Sequence, residues 1–310
     1  MTPRILAGLA GLALATALAA CGAASAPAVA TKPAAVRTAA KSKAAPAATK
    51  AAVKPAAPSE WKLKWQADFN EAAPLGSFSG CNGSYNLLPG ATCTGLPADL
   101  QSQWWAYPTG WPDSSTNADK PVHGYYSPGT VVSISGGEMH VRMYRTTGFI
   151  HSAAVLPKAA IGMTYGKYVE TFEVSADSDD GYRSSDLLWP TDNLPSVGDE
   201  IDFPEGEWDS QFCAHVHSLL ENDGRDVANF CPDVGYSDWN ATVIEWAPGS
   251  LKFYLNGTLI GSLVGKWAPT TPMSWILQNE GALYGPEAAV NSSAQMNISS
   301  VAVYSYQGPS

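Results

Sequence analysis

Charge is scarce in this 310-residue chain: only 15% of its residues are Asp, Glu, Lys or Arg. Acids are missing altogether from the first 59 residues, which nevertheless hold seven bases, Arg4, Lys32, Arg37, Lys41, Lys43, Lys50 and Lys54. Of the 18 Lys and Arg, that leaves 11 to face all 28 acids in the remainder, a net of about −17 with His neutral. A body this acidic repels a phosphate backbone, which argues against nucleic acid as a partner. Helical periodicity is nearly absent: "AAPLGSF" and "LPADLQSQ" offer a turn or two at most, so a helical bundle is excluded. No cysteines stand at CxxC spacing, which leaves little support for a zinc site or a dithiol redox motif. The apolar run from Ile5 to Ala20 is too short and too rich in alanine for a good membrane span.

That run fits a secretory signal instead, with Arg4 as its charged start and small residues at its end. It finishes in "LAAC", Leu18 to Cys21. This resembles a bacterial lipobox, in which Cys21 is lipidated and becomes the new N-terminus; the alternative is ordinary cleavage near Ala20. Either reading exports the chain, as a cell-surface lipoprotein anchored to the membrane by its N-terminal lipid or as an extracellular protein. Residues 22–59 are Ala, Pro, Lys, Ser and Thr with almost nothing large to bury, so they read as a disordered linker. At about 3.1 Å per residue in polyproline geometry, such a tether reaches on the order of 100 Å. Its basic residues either rest on anionic lipid or wall polymer, or are simply solvated.

From residue 60 to 310 the pattern is that of strands. "GTVVSISGGEMHVRMYR" (Gly129 to Arg145) alternates and turns at Gly136-Gly137, as a hairpin does. "TVIEWAPGSLKFYLNGTLIGSLV" (Thr242 to Val264) gives three short strands broken at Pro248-Gly249 and Asn256-Gly257, and "MNISSVAVYSY" (Met296 to Tyr306) gives another. Short strands with Gly, Pro and Asn punctuation predict one all-β domain, a β-sandwich or jelly roll. All 11 Trp fall in it. A sandwich that curves one sheet into a groove can line it with rings, whose faces suit the C–H face of a sugar. The four cysteines of the domain, Cys81, Cys93, Cys213 and Cys231, form an even set in an exported chain. Nearest-neighbour pairing, Cys81 with Cys93 and Cys213 with Cys231, is the preferred of three connectivities.

"DEIDFPEGEW" breaks the scarcity of charge, placing Asp199, Glu200, Asp202 and Glu205 within seven residues. If "EIDF" is a strand, Glu200 and Asp202 share a face, whereas Glu205 lies at an odd separation and faces the other way. A one-residue bulge restores it, and Pro204 sits where one is expected, because proline cannot donate to the ladder and is tolerated mainly at bulges and edges. The outer two acids then stand roughly 13 Å apart at their α-carbons. Two arms leaning inward bring the carboxyl groups toward the roughly 5 Å that a retaining glycosidase uses. Asp202 between them repels both as anions and helps to set unequal acidities. On spacing alone, a solvated acidic strand and a calcium site remain open.

The motif and its surroundings resemble glycoside hydrolase family 16. "EIDFPE" matches that family's ExDxxE signature in the bulged form of the laminarinase-like branch, and the extended stretch is close to forms in actinobacterial members. "WQADFNEAAP" (Trp65 to Pro74) resembles the opening strand, "TYGKYVETFEVSADSDDGYRSSDLLWP" (Thr164 to Pro190) the strands leading to the catalytic one, "WNATVIEWAPGSLKFYLNG" (Trp239 to Gly257) a later hairpin, and "ISSVAVYSY" the closing strand.

The resemblance implies a jelly roll with a concave groove and a retaining endo-β-glycanase that needs no cofactor, acting as a monomer on a polysaccharide. The default substrate is β-1,3-glucan or mixed β-1,3/1,4-glucan; a galactan-specific form, a transglycosylase and a non-catalytic glycan-binding jelly roll are the alternatives. Glu200 matches the nucleophile, Glu205 the general acid/base and Asp202 the helper that orients the nucleophile. As the acid, Glu205 is expected to have the raised pKa. His217, in "CAHVHS", aligns with a groove histidine, and His215 shares its parity. Tyr182, Trp189 and Trp208 flank the acids and are candidate sugar platforms, Gln278 a candidate partner for a sugar hydroxyl. For Trp104, Trp105 and Trp111, core packing is as good an account. The chain departs from the family at Asp186, near the place of an expected aromatic, which predicts an altered subsite. Asp199 and Glu207 read as solvated rim. "DSDDG" (Asp177 to Gly181) lacks the length and spacing of an EF-hand loop, and a structural calcium on the outer sheet, as in some relatives, stays open.

Overall fold

A computed structural model describes residues 60–83, 90–118, 120–176, 180–194, 200–218, 220 and 225–309. The expected signal (1–21) with Cys21, the linker (22–59), Asp199 and most of the "DSDDG" turn lie outside the described residues. Sixteen strands follow one another among these residues. The first six are β1 (Trp61–Ala67), β2 (Trp104–Ala106), β3 (Gly124–Tyr126), β4 (Val132–Ser135), β5 (Glu138–Arg145) and β6 (Ile150–Pro157). Next come β7 (Gly166–Ala176), β8 (Tyr182–Pro190), β9 (Glu200–Glu207), β10 (Cys213–Ser218) and β11 (Arg225–Phe230). The last are β12 (Asn240–Ala247), β13 (Ser250–Leu255), β14 (Thr258–Val264), β15 (Met273–Gly281) and β16 (Ser293–Tyr306). Two short helices, α1 (Ala98–Gln103) and α2 (Pro128–Val131), are the α-helices among the described residues; "AAPLGSF" forms none.

Hydrogen bonding orders the strands β11-β10-β9-β8-β15-β6 and then β5-β16-β7-β12-β13-β14, with β2 and β3 added to β6, β4 to β5 and β1 to β16. The two halves meet at a narrow seam, where β5 and β6 share two residue pairs, Tyr144 with His151 and Arg145 with Ile150. Aromatic side chains pack between the halves: Phe203 of β9 against Phe253 of β13 at 5.9 Å, and Tyr168 of β7 against Trp275 of β15 at 5.4 Å. This is the jelly roll that the sequence predicts.

The second half reads cleanly because only one of its faces is covered. Along β12, Asn240, Thr242, Ile244 and Trp246 are buried and their neighbours are not, and Leu251, Phe253 and Leu255 do the same in β13. The predicted turns fall where the chain needs left-handed backbone: Gly136 and Gly137 (φ 65° and 86°) between β4 and β5, and Asn256 and Gly257 (φ 50° and 79°) between β13 and β14. The cysteines pair as nearest neighbours, Cys81 with Cys93 and Cys213 with Cys231. The second bridge ties the first residue of β10 to the residue that follows β11.

Candidate active site

Strand β9 runs between β8 and β10, and both neighbours record an extra residue in it. The three-residue step from Asp202 to Glu205 is matched by two-residue steps from Leu187 to Ser185 and from His215 to Cys213. The bulge therefore lies at Phe203 and Pro204, which are joined by a cis peptide bond. Phe203 turns into the core, 1% exposed, while Asp202 and Glu205 come to one face. His217 Nε2 lies 3.4 Å from Asp202 Oδ2 and 3.6 Å from Glu205 Oε2. Glu200 pairs with His217 in register and lines a cleft of about 350 Å³ with Tyr107, Asn117, Trp189 and Gln278.

The three acids have different surroundings. Asp202 is fully buried and accepts a hydrogen bond from Ser185 Oγ at 2.9 Å. Burial, and then the charges of Glu200 and Glu205, push its pKa well above the usual carboxylate range. Glu205 goes the other way. Burial raises its pKa, but the His217 imidazole and the Arg183 guanidinium outweigh that and bring it down to about 2. The expectation that Glu205 carries the raised pKa is thus corrected for the free protein: Arg183 Nη2 sits 2.6 Å from its Oε1, and the imidazoles of His217 and His215 face its Oε2. Burial pulls the pKa of His217 down, yet Asp226, then Glu205, Asp202 and Glu200, push it up to about 12.

Other candidates divide between cleft and core. Trp189 is half-buried at the cleft, its indole N–H donating to Asn193 Oδ1 at 2.7 Å, and Gln278 lines the same wall, donating to Glu280 Oε2 at 3.2 Å. Tyr182 and Trp208 are not platforms: they are 0% and 2% exposed, and their polar atoms donate to Ser292 O and Ser184 Oγ. Trp104 and Trp105 are core, and Trp111 packs against it. Asp186 is a correction as well. It has no exposure and faces inward, against the equally buried Glu170 of β7, so its substitution for an aromatic leaves no gap in the groove. Glu207 is not solvated rim, because it accepts from the backbone N–H groups of Leu283 and Tyr284 and lies 3.5 Å from Arg183 Nε.

The sequence reading missed Arg183, Ser185, Asp226 and Glu280. Arg183 links Glu205, Glu207 and Glu280, and Asp226 accepts from His215 Nδ1 and lies 2.9 Å from His217 Nδ1. A signal for Arg183 existed: within β8 it shares its two-residue parity with Ser185 and Leu187, the residues opposite the acids.

No protein-family model matches the chain. A non-specific endo-β-1,3(4)-glucanase from family GH16, SCLam, superposes with a TM-score of 0.59 at 16% identity, over 81% of this chain and 93% of that one. The laminarinase catalytic domain of Thermotoga maritima MSB8 does so with a TM-score of 0.58 at 16% identity, over 81% of this chain and all of its own (100%). By sequence, a keratan-sulfate endo-1,4-beta-galactosidase of Sphingobacterium multivorum is 25% identical over 172 residues, 50% of this chain. The match spans only 40% of that protein's length. The fold is the jelly roll of the GH16 laminarinases.

Proposed function

We propose that this chain is a retaining endo-β-glycanase of glycoside hydrolase family 16. One observation carries the reading: the bulge in β9 sets Asp202 and Glu205 on one face, and Glu200 opens onto the adjoining cleft. Glu200 Oε attacks the anomeric carbon as the glycosidic C–O bond breaks, and Glu205 protonates the departing oxygen. Water then cleaves the glycosyl ester, giving up its proton to Glu205 and returning Glu200 as a carboxylate, with configuration retained. Asp202, held by Ser185, lies between them in the strand, and burial disfavours its ionised form.

In the free protein the proton needed by Glu205 resides on His217. A glycan lying over Glu205 displaces water and raises the carboxylate's affinity for protons, which draws that proton across from Nε2 before the leaving oxygen takes it. Arg183 holds the other oxygen of Glu205 in place. Trp189 and Gln278, on the cleft wall, offer a ring and an amide to the sugar.

A β-1,3- or mixed β-1,3/1,4-glucan is the favoured substrate, supported by the endo-glucanases that share the fold. The partial sequence likeness to a keratan-sulfate endo-galactosidase favours a β-galactan as the second reading. Export, with a lipid on Cys21 and a monomeric domain on a long tether, completes the proposal; "LAAC" and the paired cysteines support it. The test is reducing-sugar release from laminarin, lichenan, agarose, galactan, keratan sulfate and xyloglucan. Glu200→Gln and Glu205→Gln are each expected to lose at least about 10²-fold in kcat. Cleavage that survives both substitutions overturns the assignment. Binding without cleavage across the whole panel favours a glycan-binding module.

A further inference from the structure

The alternation of β10 puts His215 and His217 on one face, with their rings nearly parallel (7°) and 5.8 Å apart. One carboxylate serves both: His215 Nδ1 lies 3.0 Å from Asp226 Oδ2, and His217 Nδ1 lies 2.9 Å from Asp226 Oδ1. Asp226 is able to do so because β11 places it opposite His217 in register. With both Nδ1 atoms turned toward Asp226, both Nε2 atoms turn the same way, toward Glu205 Oε2 at 3.9 Å and 3.6 Å.

Those separations are too long for hydrogen bonds. They are close to the roughly 3.3 Å edge of a tetrahedron whose corners lie about 2.0–2.1 Å from a zinc ion. All three ligand atoms fall within 4.8 Å of one another. Glu205 Oε2 is also buried without a hydrogen-bond partner, its companion oxygen being taken by Arg183. The outer carboxylate on both imidazoles is the arrangement that orients histidine ligands in metal centres. We propose that His215 Nε2, His217 Nε2 and Glu205 Oε2 form a binding site for a divalent transition-metal ion such as Zn²⁺, with Asp226 as the carboxylate that positions both rings.

Two imidazoles and one carboxylate suit Zn²⁺, Cu²⁺ or Co²⁺ better than Ca²⁺ or Mg²⁺, which prefer all-oxygen shells. Three protein ligands leave a fourth position for water. The ion takes the place of the Nε2 proton of His217, which passes to solvent. The other close group, Cys213, His215 and Cys231, offers no thiolate because its sulfurs form a disulfide. An ion bound this way occupies Glu205 and stops glycan cleavage. That consequence rests on the hydrolase reading, whereas the site itself does not.

The test uses the full chain with the Cys21 thiol alkylated. Zn²⁺ binding is followed by calorimetry, and Co²⁺ binding by the intense visible absorption of a four-coordinate ion. The expected result is one ion per chain at this site, with affinity reduced roughly 10- to 100-fold by Asp226→Asn and at least as much by His215→Gln and Glu205→Gln. Glu200→Gln, outside the ligand set, keeps the ion, and near-UV circular dichroism verifies that each variant is folded. No bound ion, or equal affinity in the wild type and His215→Gln, overturns the site. A chain that binds Zn²⁺ but cleaves no glycan after the ion is removed with a chelator overturns the hydrolase reading alone; one that cleaves glycan unaffected by excess Zn²⁺ and binds none overturns the site alone.

Discussion

Arg183 and Glu205 lie 2.6 Å apart on neighbouring strands, and the same guanidinium reaches Glu280 at 2.5 Å with only 5% of its side chain exposed. Removing one member of a buried ion cluster costs more than the cluster contributes, because the remaining charges lose their counterion. Arg183→Met is expected to lower unfolding free energy by about 3–5 kcal/mol. Glu280→Gln should be less harmful in the Arg183→Met background than in the wild type, by at least about 1 kcal/mol in a double-mutant cycle. Additive effects in urea unfolding would show that the two groups act independently.

Trp189 and Trp208 flank β9 in sequence but differ in surroundings. Trp189→Ala removes a half-buried ring from the cleft and is expected to raise KM roughly tenfold, about 1.4 kcal/mol, with little change in kcat or melting temperature. Trp208→Ala opens a core cavity and should cost about 3–5 kcal/mol of stability. An unchanged KM in Trp189→Ala sets aside its contact with the sugar.

Glu170 on β7 and Asp186 on β8 form a buried acid pair, with Tyr236 and Asp202 as other titratable groups facing Asp186. Burial raises both carboxyls, Glu170 to about 7. The folded chain therefore keeps protons that the unfolded chain releases. The stability that Glu170 contributes is full below about pH 4.5 and is lost as pH rises through about 7. Stability measured by denaturant should fall from pH 5 to pH 8, and Glu170→Gln should remove a share of that fall, at most on the order of 3 kcal/mol. Identical slopes in wild type and variant would exclude the pair as the cause.

The Cys213–Cys231 bridge closes a separation of 18 residues around β10 and β11. Replacing both cysteines with serine is expected to cost about 3 kcal/mol by loop entropy. Asp226 then loses its fixed distance to the two imidazoles, so the double variant should also weaken Zn²⁺ binding. Calorimetry at a temperature where the variant remains folded checks this.

The legibility of the sequence follows from how each strand is covered. Strands β12 and β13 alternate because one face is wet, and the hairpin turns announce themselves through Asn and Gly. Strand β8 is buried on nearly its whole length, so its polar Arg183, Ser184 and Asp186 give no alternation to read. Their partners Glu280, Asn279 and Glu170 lie far away in sequence. The acidity of Glu205 was illegible for the same reason, since the cations beside it come from β8 and β10. Trp208 was more legible than the reading allowed: one step from Glu207, it must face away from the acids.

The irregularity at Phe203 and Pro204 acts as a phase setting for the strand. Deleting one residue there restores an even pairing with both neighbours and rotates everything beyond it by half a pleat, sending Glu205 and Glu207 into the core and leaving Arg183 with one carboxylate of three. The three carboxylates around Arg183 are thus held to one register of the strand by a single residue.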